Sequence, residues 1–181
     1  MGKPIVKKLI LISDISGLAN SKWMNQYSDI LSKEFEVSSV CSLKLAKINP
    51  LESKETIHKQ FINGGIEKAV QELLSLNLEK TTIIAFSIGG AIAWRAALEG
   101  VKVDSLYAVS STRLRNETQK PNCQLKLIYG EKDPNKPTDE WYQKIELIPK
   151  IIPGEEHELY KNSDFIKQFA SQVNWASGLI Y

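Results

Sequence analysis

Three side chains that together could perform nucleophilic catalysis follow predicted β-strands of this 181-residue chain, in the order serine, aspartate, histidine. Ser87 stands in A-F-S-I-G-G, Asp133 in Y-G-E-K-D-P and His157 in G-E-E-H. A serine hydroxyl is a poor nucleophile until a neutral histidine accepts its proton, and a carboxylate must fix the tautomer of that imidazole and stabilise the imidazolium. These residue types in this order therefore indicate a serine nucleophile, an orienting acid and a histidine base.

Ser87 lies at an abrupt change from a strand pattern to a helix pattern. The apolar run Thr81–Phe86 predicts a strand, and Ile88–Glu99 predicts a helix rich in small residues. A serine held in such a tight turn has a strained backbone, so the residues two before and two after it must be small. Ala85 and Gly89 meet this requirement, as an A-x-S-x-G variant of the G-x-S-x-G motif. The stretch alone is equally typical of a polar turn before a packed Gly/Ala-rich helix.

Each candidate also has an ordinary structural interpretation. Asp133 precedes a proline, and Asp-Pro is a common turn former, so Glu131 and Asp139 remain alternative acids. His157 could be an exposed loop histidine among acidic neighbours. His58, the other histidine of the chain, falls within a helical pattern away from any predicted strand end and is expected at the surface.

Apolar β-rich runs alternate with amphipathic helical runs, which is the pattern of a mostly parallel sheet covered by helices on both faces. Six strands are predicted: Val6–Ile12, Glu36–Cys41, Thr81–Phe86, Val103–Val109, Leu125–Tyr129 and Glu146–Ile152. The main helices are predicted over Lys22–Glu34, Thr56–Asn77 with a break near Gly64-Gly65, Ile88–Glu99, Thr138–Lys144 and from about Tyr160 to Trp175. Ser42–Lys54 is expected to be a surface loop. No repeat or linker interrupts the pattern, so residues 1–181 are predicted to form a single α/β domain.

The composition argues against several other classes of function. A formal net charge of +2 gives no basic face of the kind that nucleic-acid binding demands. No clustered Cys/His spacing indicates a metal, and the glycine motifs that bind phosphates and dinucleotides are absent, so no cofactor is expected. No apolar run approaches the roughly 20 residues that span a bilayer. Cys41 and Cys123 belong to no CxxC pair and are expected as buried thiols, which suits a cytoplasmic protein.

The three motifs resemble those of the α/β-hydrolase family, and the match runs from Val6 to Val173. The resemblance implies a serine hydrolase that cleaves a small ester or thioester through an acyl-enzyme. It assigns the nucleophile to Ser87, the orienting acid to Asp133, and the general base and acid to His157. Family members usually carry a lid between the fourth and fifth strands, where this chain has only Ser110–Asn122, so an open and shallow site is expected.

The resemblance also implies an oxyanion hole, made by the backbone N–H of Ile88 and by one N–H from the loop after the first strand. The second donor is expected to be Ser16, with Ile15 as the alternative. Family members usually carry His-Gly in this loop, where the chain has Asp14-Ile15; a β-branched residue resists angles that glycine allows, and a carboxylate near a developing oxyanion opposes catalysis. A catalytically inactive binding or signalling protein is therefore the alternative function. Asp14, Ile15 and Phe86 are predicted to line the substrate pocket.

Overall fold

The sheet of this protein has six parallel strands, and helices cover both of its faces. The structure, a computed structural model, describes residues 7–176 and the side chains of residues 7–173. The strands are β1 Lys7–Ile12, β2 Phe35–Val40, β3 Thr81–Phe86, β4 Val103–Val109, β5 Gln124–Gly130 and β6 Lys150–Ile152. They lie in the order β2-β1-β3-β4-β5-β6, and every pairing is parallel. The predicted single α/β domain with a parallel sheet is confirmed. Val6, the predicted first residue of β1, lies outside the described residues.

Seven α-helices accompany the described strands. They are α1 Trp23–Leu31, α2 Ser42–Ala46, α3 Lys54–Gln60, α4 Ile66–Ser75, α5 Ile88–Leu98, α6 Asp139–Ile145 and α7 Ser163–Ala176. Between α3 and α4, Asn63 and Gly64 leave helical backbone angles, and Gly64 has a φ of 99°. Glycine adopts this left-handed conformation without steric cost, which explains the break predicted at the two glycines. No helix among residues 7–176 is both long enough and apolar enough to cross a membrane.

The two faces of the sheet support separate cores, because successive strand residues point to opposite faces. In β3, Ile83 and Ala85 belong to the core that includes α4 and α5. Ile84 and Phe86 belong to the core that includes α1 and α7. All four side chains are fully buried. The last two residues of β3, Ala85 and Phe86, therefore point into opposite helix layers. Ser87, the next residue, lies in the turn between β3 and α5.

The segment predicted as a surface loop, Ser42–Lys54, instead begins with α2. Leu43 and Leu45 of this helix are buried in the same core as α4. Five residues are too few for helical periodicity to be recognised against its flanking loop. The error follows from the shortness of the helix.

The last strand is shorter than predicted, since only Lys150–Ile152 of the expected Glu146–Ile152 pairs with β5. Glu146 has a φ of 56° and ends α6 in the left-handed conformation. Pro149 has no N–H to donate to a neighbouring strand. The apolar run before residue 150 is therefore a connection rather than a strand.

Both cysteines are free and half-buried, rather than buried as expected; Cys41 directly follows β2 and Cys123 directly precedes β5. Burial, with a smaller contribution from the charge of Asp104, raises the pKa of Cys123 to about 11. Burial disfavours a charged thiolate, so Cys123 is a thiol at neutral pH. This residue is thus a poor candidate for a nucleophile.

Candidate active site

Ser87 occupies a strained turn between β3 and α5. Its backbone has a φ of 52° and a ψ of −116°, which is an unusual conformation for a residue with a side chain. The Ser87 N–H donates to the carbonyl of Val109 at 2.9 Å, which ties the turn to β4. A Cβ atom at Gly89 would lie 2.6 Å from the carbonyl oxygen of Ser13. The turn can therefore pack against the end of β1 only with glycine at position 89.

The serine, histidine and aspartate of the three motifs are brought together by the fold. Ser87 Oγ lies 3.2 Å from His157 Nε2, and His157 Nδ1 lies 2.7 Å from Asp133 Oδ2. Both distances are within hydrogen-bonding range. The Asp133 side chain is fully buried, whereas 35% of the His157 side chain is exposed. The result is a continuous hydrogen-bonded chain from a buried carboxylate to a hydroxyl at the surface of a cavity.

Gly130, at the end of β5, allows the histidine loop to reach the acid. A Cβ atom there would lie 2.4 Å from the carbonyl oxygen of Glu155, so this loop crosses directly over the strand end. The Lys132 N–H donates to the same carbonyl at 2.8 Å and holds the crossing in place. The close backbone approach positions His157 beside Asp133.

The two competing acids lie elsewhere in the structure. Glu131 is exposed, and its Oε2 accepts a hydrogen bond from the Gly154 N–H at 2.8 Å. Asp139 is exposed in the first turn of α6. Within the described part of the chain, neither carboxylate contacts His157, so Asp133 is the acid that the geometry supports.

The Asp14 carboxylate is buried and compensated by several donors. Its Oδ1 accepts the Ser16 N–H at 3.0 Å, and its Oδ2 accepts the Tyr160 hydroxyl at 3.1 Å. Lys161 Nζ lies 3.5 Å from Oδ2. Burial, followed by the nearby charge of Asp14, raises the pKa of Tyr160, so its hydroxyl remains a donor at neutral pH. The negative charge that would oppose an oxyanion is thereby held and partly neutralised.

These contacts change the expected oxyanion hole. The Ser16 N–H, predicted as the second donor, is already bonded to Asp14. The N–H groups of Ile15 and Ile88 have no acceptor among the residues that the structure describes, and both residues line the same cavity. The geometry therefore favours the alternative pair, Ile15 with Ile88, over the pair that includes Ser16.

A cavity of about 230 Å³ opens onto Ser87 and His157. Its other lining residues come from loops and helices at the carboxyl end of the sheet: Asp14, Ile15, Lys54, His58, Ile88, Thr112, Arg113, Asn135, Glu158 and Tyr160. Most of these side chains are polar or charged. Within residues 7–176, no group of three or more His, Cys, Asp or Glu side chains could hold a metal ion.

Phe86 does not line this cavity, which corrects the prediction that it would. Its ring is fully buried and packs against Trp23 and Tyr160, with ring centroids 4.7 Å and 5.4 Å away. Alternation along β3 directs Phe86 toward α1 and α7. Phe86 therefore packs beneath the turn that holds Ser87, and none of its surface is accessible to a substrate.

Sequence reasoning missed the contribution of α3 to the site. His58 is exposed, as expected, but it lines the cavity together with Lys54. The spacing of these two residues at i and i+4 puts them on one face of a helix, which is the signal that could have linked them. The spacing does not indicate that α3 packs next to the cavity, because the position of this helix depends on tertiary contacts.

Replacing Tyr160 with phenylalanine is expected to lower the free energy of unfolding by about 1.5–3 kcal/mol, because the buried Asp14 carboxylate loses a charge-assisted hydrogen bond. Urea denaturation measures this change. Tyr107 is the matched control, since this residue is also partly removed from water and its hydroxyl bonds to none of the described residues. Equal losses for Tyr160→Phe and Tyr107→Phe would contradict the role given to the Tyr160 hydroxyl.

Comparison of the sequence with family models and with curated proteins finds no match. Solved structures, however, resemble the chain over most of its length. A protein described as a predicted CIB-like hydrolase from Thermoplasma acidophilum has 18% identity and a TM-score of 0.62, covering 96% of this chain and 89% of its own. A dienelactone hydrolase from Anabaena variabilis has 14% identity and a TM-score of 0.62, covering 94% and 85%.

A third similar structure is Est1E from Butyrivibrio proteoclasticus, solved with ferulic acid bound. It has 12% identity and a TM-score of 0.63, and the alignment covers 93% of this chain and 90% of that protein. At these identities the likeness establishes the architecture alone. The chain has the α/β-hydrolase fold.

Proposed function

We propose that this protein is a serine hydrolase that cleaves a small carboxylic ester or thioester through an acyl-enzyme. The observation that carries the proposal is the hydrogen-bonded chain from Asp133 through His157 to Ser87, at 2.7 Å and 3.2 Å. The names of the similar structures, which include hydrolases of the same fold, add support. Nucleophilic acyl transfer needs a serine within hydrogen-bonding distance of a histidine that is oriented by a carboxylate, and these three side chains have that arrangement.

In the proposed mechanism, His157 Nε2 accepts the proton of Ser87 Oγ as that oxygen attacks the substrate carbonyl. His157 Nδ1–H donates to Asp133 Oδ2, which fixes the tautomer and stabilises the imidazolium. The other oxygen of Asp133 accepts the Asn135 N–H at 3.0 Å, which holds the carboxylate in orientation. His157 then gives the proton to the leaving oxygen or sulfur, and a water molecule hydrolyses the acyl-enzyme by the same steps.

The tetrahedral intermediates carry a negative oxygen that needs hydrogen-bond donors. The N–H groups of Ile88 and Ile15 are the donors we propose, because both are unbonded in the described part of the chain and both residues line the cavity. Loss of one such donor typically costs about 10²–10³ in rate. Compensation of Asp14 by Tyr160 and Lys161 weakens the repulsion between its charge and the oxyanion.

The size and lining of the cavity favour a short acyl group. Its volume is about 230 Å³, and much of its wall is polar. The segment between β4 and β5 contributes only the short 3₁₀ helix Thr112–Asn116, so no apolar lid covers the site from there. A long acyl chain would remain exposed to water.

A panel of p-nitrophenyl esters and acyl thioesters, from acetyl to octanoyl, tests the proposal. We expect turnover that is fastest for the shortest chains, with an initial burst near one equivalent of p-nitrophenol where deacylation limits the rate. Absence of turnover for every member, with well-folded protein at neutral pH, would contradict it. That result would favour the alternative, an inactive binding protein in which the Asp14-Ile15 loop fails to support an oxyanion.

A further inference from the structure

Arg113 is a half-buried cation in the wall of the cavity that holds Ser87. Its guanidinium makes no hydrogen bond and no ion pair with the residues that the structure describes. The other two arginines of the chain are both engaged. Arg95 pairs with Glu117 at 2.8 Å and Glu67 at 2.9 Å, and Arg115 donates to backbone carbonyls at 2.9 Å and 3.1 Å. Arg113 is therefore the arginine whose guanidinium is left for a ligand.

The carboxylates around Arg113 already have other cations. Of the two acids in the cavity wall, Asp14 lies 3.5 Å and Glu158 lies 2.6 Å from Lys161 Nζ. Glu67 and Glu117 are paired with Arg95. Both acids that could neutralise Arg113 from inside the cavity are thus compensated by a different residue.

The surroundings of Arg113 are electrostatically unfavourable to its charge. Burial, followed by the positive charges of Arg95 and Arg115, lowers the pKa of Arg113, and the negative charges of Glu117 and Glu67 offset only part of this effect. A guanidinium nevertheless stays charged at neutral pH, and its planar fork matches the geometry of a carboxylate. Lys54 contributes a second cation to the same wall. A bound anion would relieve the cost of a partly desolvated and unpaired charge.

We propose that Arg113 forms a subsite for a free carboxylate on the substrate, so that the bond cleaved at Ser87 belongs to a molecule that also carries a carboxylate. The inference rests on the proposed hydrolase function and narrows its substrate class. The carboxylate sits either on the acyl group, as in a half-ester of a dicarboxylic acid, or on the leaving group. In both cases the contact is a bidentate, charge-assisted pair with the guanidinium.

The turnover experiment compares charged and neutral substrates of matched size. For the acyl side these are p-nitrophenyl hydrogen glutarate and its methyl ester; for the leaving-group side they are 4-acetoxybenzoate and its methyl ester. We expect wild-type protein to prefer the charged member of at least one pair in kcat/KM, and Arg113→Gln to reduce that preference at least about tenfold. Arg113→Lys, which keeps the charge and loses the fork, should give an intermediate preference.

Arg115→Gln is the matched control, because it removes the same charge from the same 3₁₀ helix at a residue outside the cavity wall. Its ratio of charged to neutral kcat/KM should stay at the wild-type value. Equal ratios in wild type and Arg113→Gln for both pairs, or an equal loss in Arg115→Gln, would overturn the subsite.

A binding measurement separates this proposal from the proposed function. Calorimetric titration of monomethyl glutarate into Ser87→Ala should give a Kd at least about tenfold lower than titration into the double variant with Arg113→Gln. Binding that depends on Arg113 without turnover in wild type would support the subsite and contradict the hydrolase. Turnover without any dependence on Arg113, in rate or in binding, would overturn the subsite and leave the hydrolase standing.

Discussion

Ser87→Ala is expected to lower kcat for short aryl esters by about 10⁴- to 10⁶-fold, because it removes the hydroxyl that we propose forms the acyl-enzyme. The alanine side chain fits a turn already occupied by a Cβ atom, so the strained backbone is retained. The cavity, His157 and the N–H groups of the proposed oxyanion hole also remain, which leaves residual catalysis above the rate in water. Steady-state kinetics of the variant, purified free of host esterases, measure the loss.

Ser105→Ala is the matched control for this substitution. Ser105 lies toward the amino end of β4, away from the site, and among the described residues its Oγ bonds only to Gln124, at 3.3 Å. Its kcat should equal that of wild type. Retention of more than a tenth of wild-type kcat in Ser87→Ala would show that Ser87 is not the nucleophile.

Asp133→Asn is expected to lower kcat by about 10⁴-fold with little change in the fold. An asparagine amide can donate a hydrogen bond to His157 Nδ1, and that contact selects the tautomer with its proton on Nε2. An Nε2–H faces Ser87 Oγ at 3.2 Å and cannot accept its proton. The remaining amide oxygen can still accept the Asn135 N–H, so the loop keeps its anchor.

Asp139→Asn and Glu131→Gln are the controls for the acid, because they change the two exposed carboxylates that the sequence left as alternatives. Neither should alter kcat by more than about twofold, since exposed charges act weakly through water and a glutamine at position 131 can still accept the Gly154 N–H. A larger loss in Glu131→Gln than in Asp133→Asn would assign the orienting role to Glu131.

The sequence predicts that Ser87, Asp133 and His157 lie together, because each of them follows a predicted strand. Parallel strands bring their carboxyl ends to one edge of the sheet, so Ser87, Asp133 and His157 had to lie at the same edge. The strained turn was readable from the small residues beside Ser87. A close approach such as that at Gly130, where a Cβ atom would lie 2.4 Å from a carbonyl oxygen, follows only from tertiary structure.

Contacts between residues distant in sequence were not readable. The sequence predicts that the Asp14 charge opposes catalysis. The hydrogen bond from Tyr160 that compensates this charge joins residues 146 positions apart, so local patterns do not indicate it. The prediction that Phe86 lines the cavity is wrong because alternation along a strand distinguishes two faces of the sheet but does not indicate where the cavity lies. The roles of His58 and Arg113 depend on how α3 and the 3₁₀ helix pack over the sheet, and local patterns do not specify that packing.

The formation of a covalent adduct on Ser87 is the measurement that tests the proposed mechanism most directly. Incubation with a small alkyl fluorophosphonate at neutral pH, followed by intact-mass and peptide analysis, should show one adduct per chain, on Ser87. Labelling should be lost in Ser87→Ala, slowed strongly in Asp133→Asn, and unchanged in Ser105→Ala. Folded wild-type protein that stays unlabelled, or an adduct on any residue other than Ser87, would contradict the assignment of a catalytic serine at the end of β3.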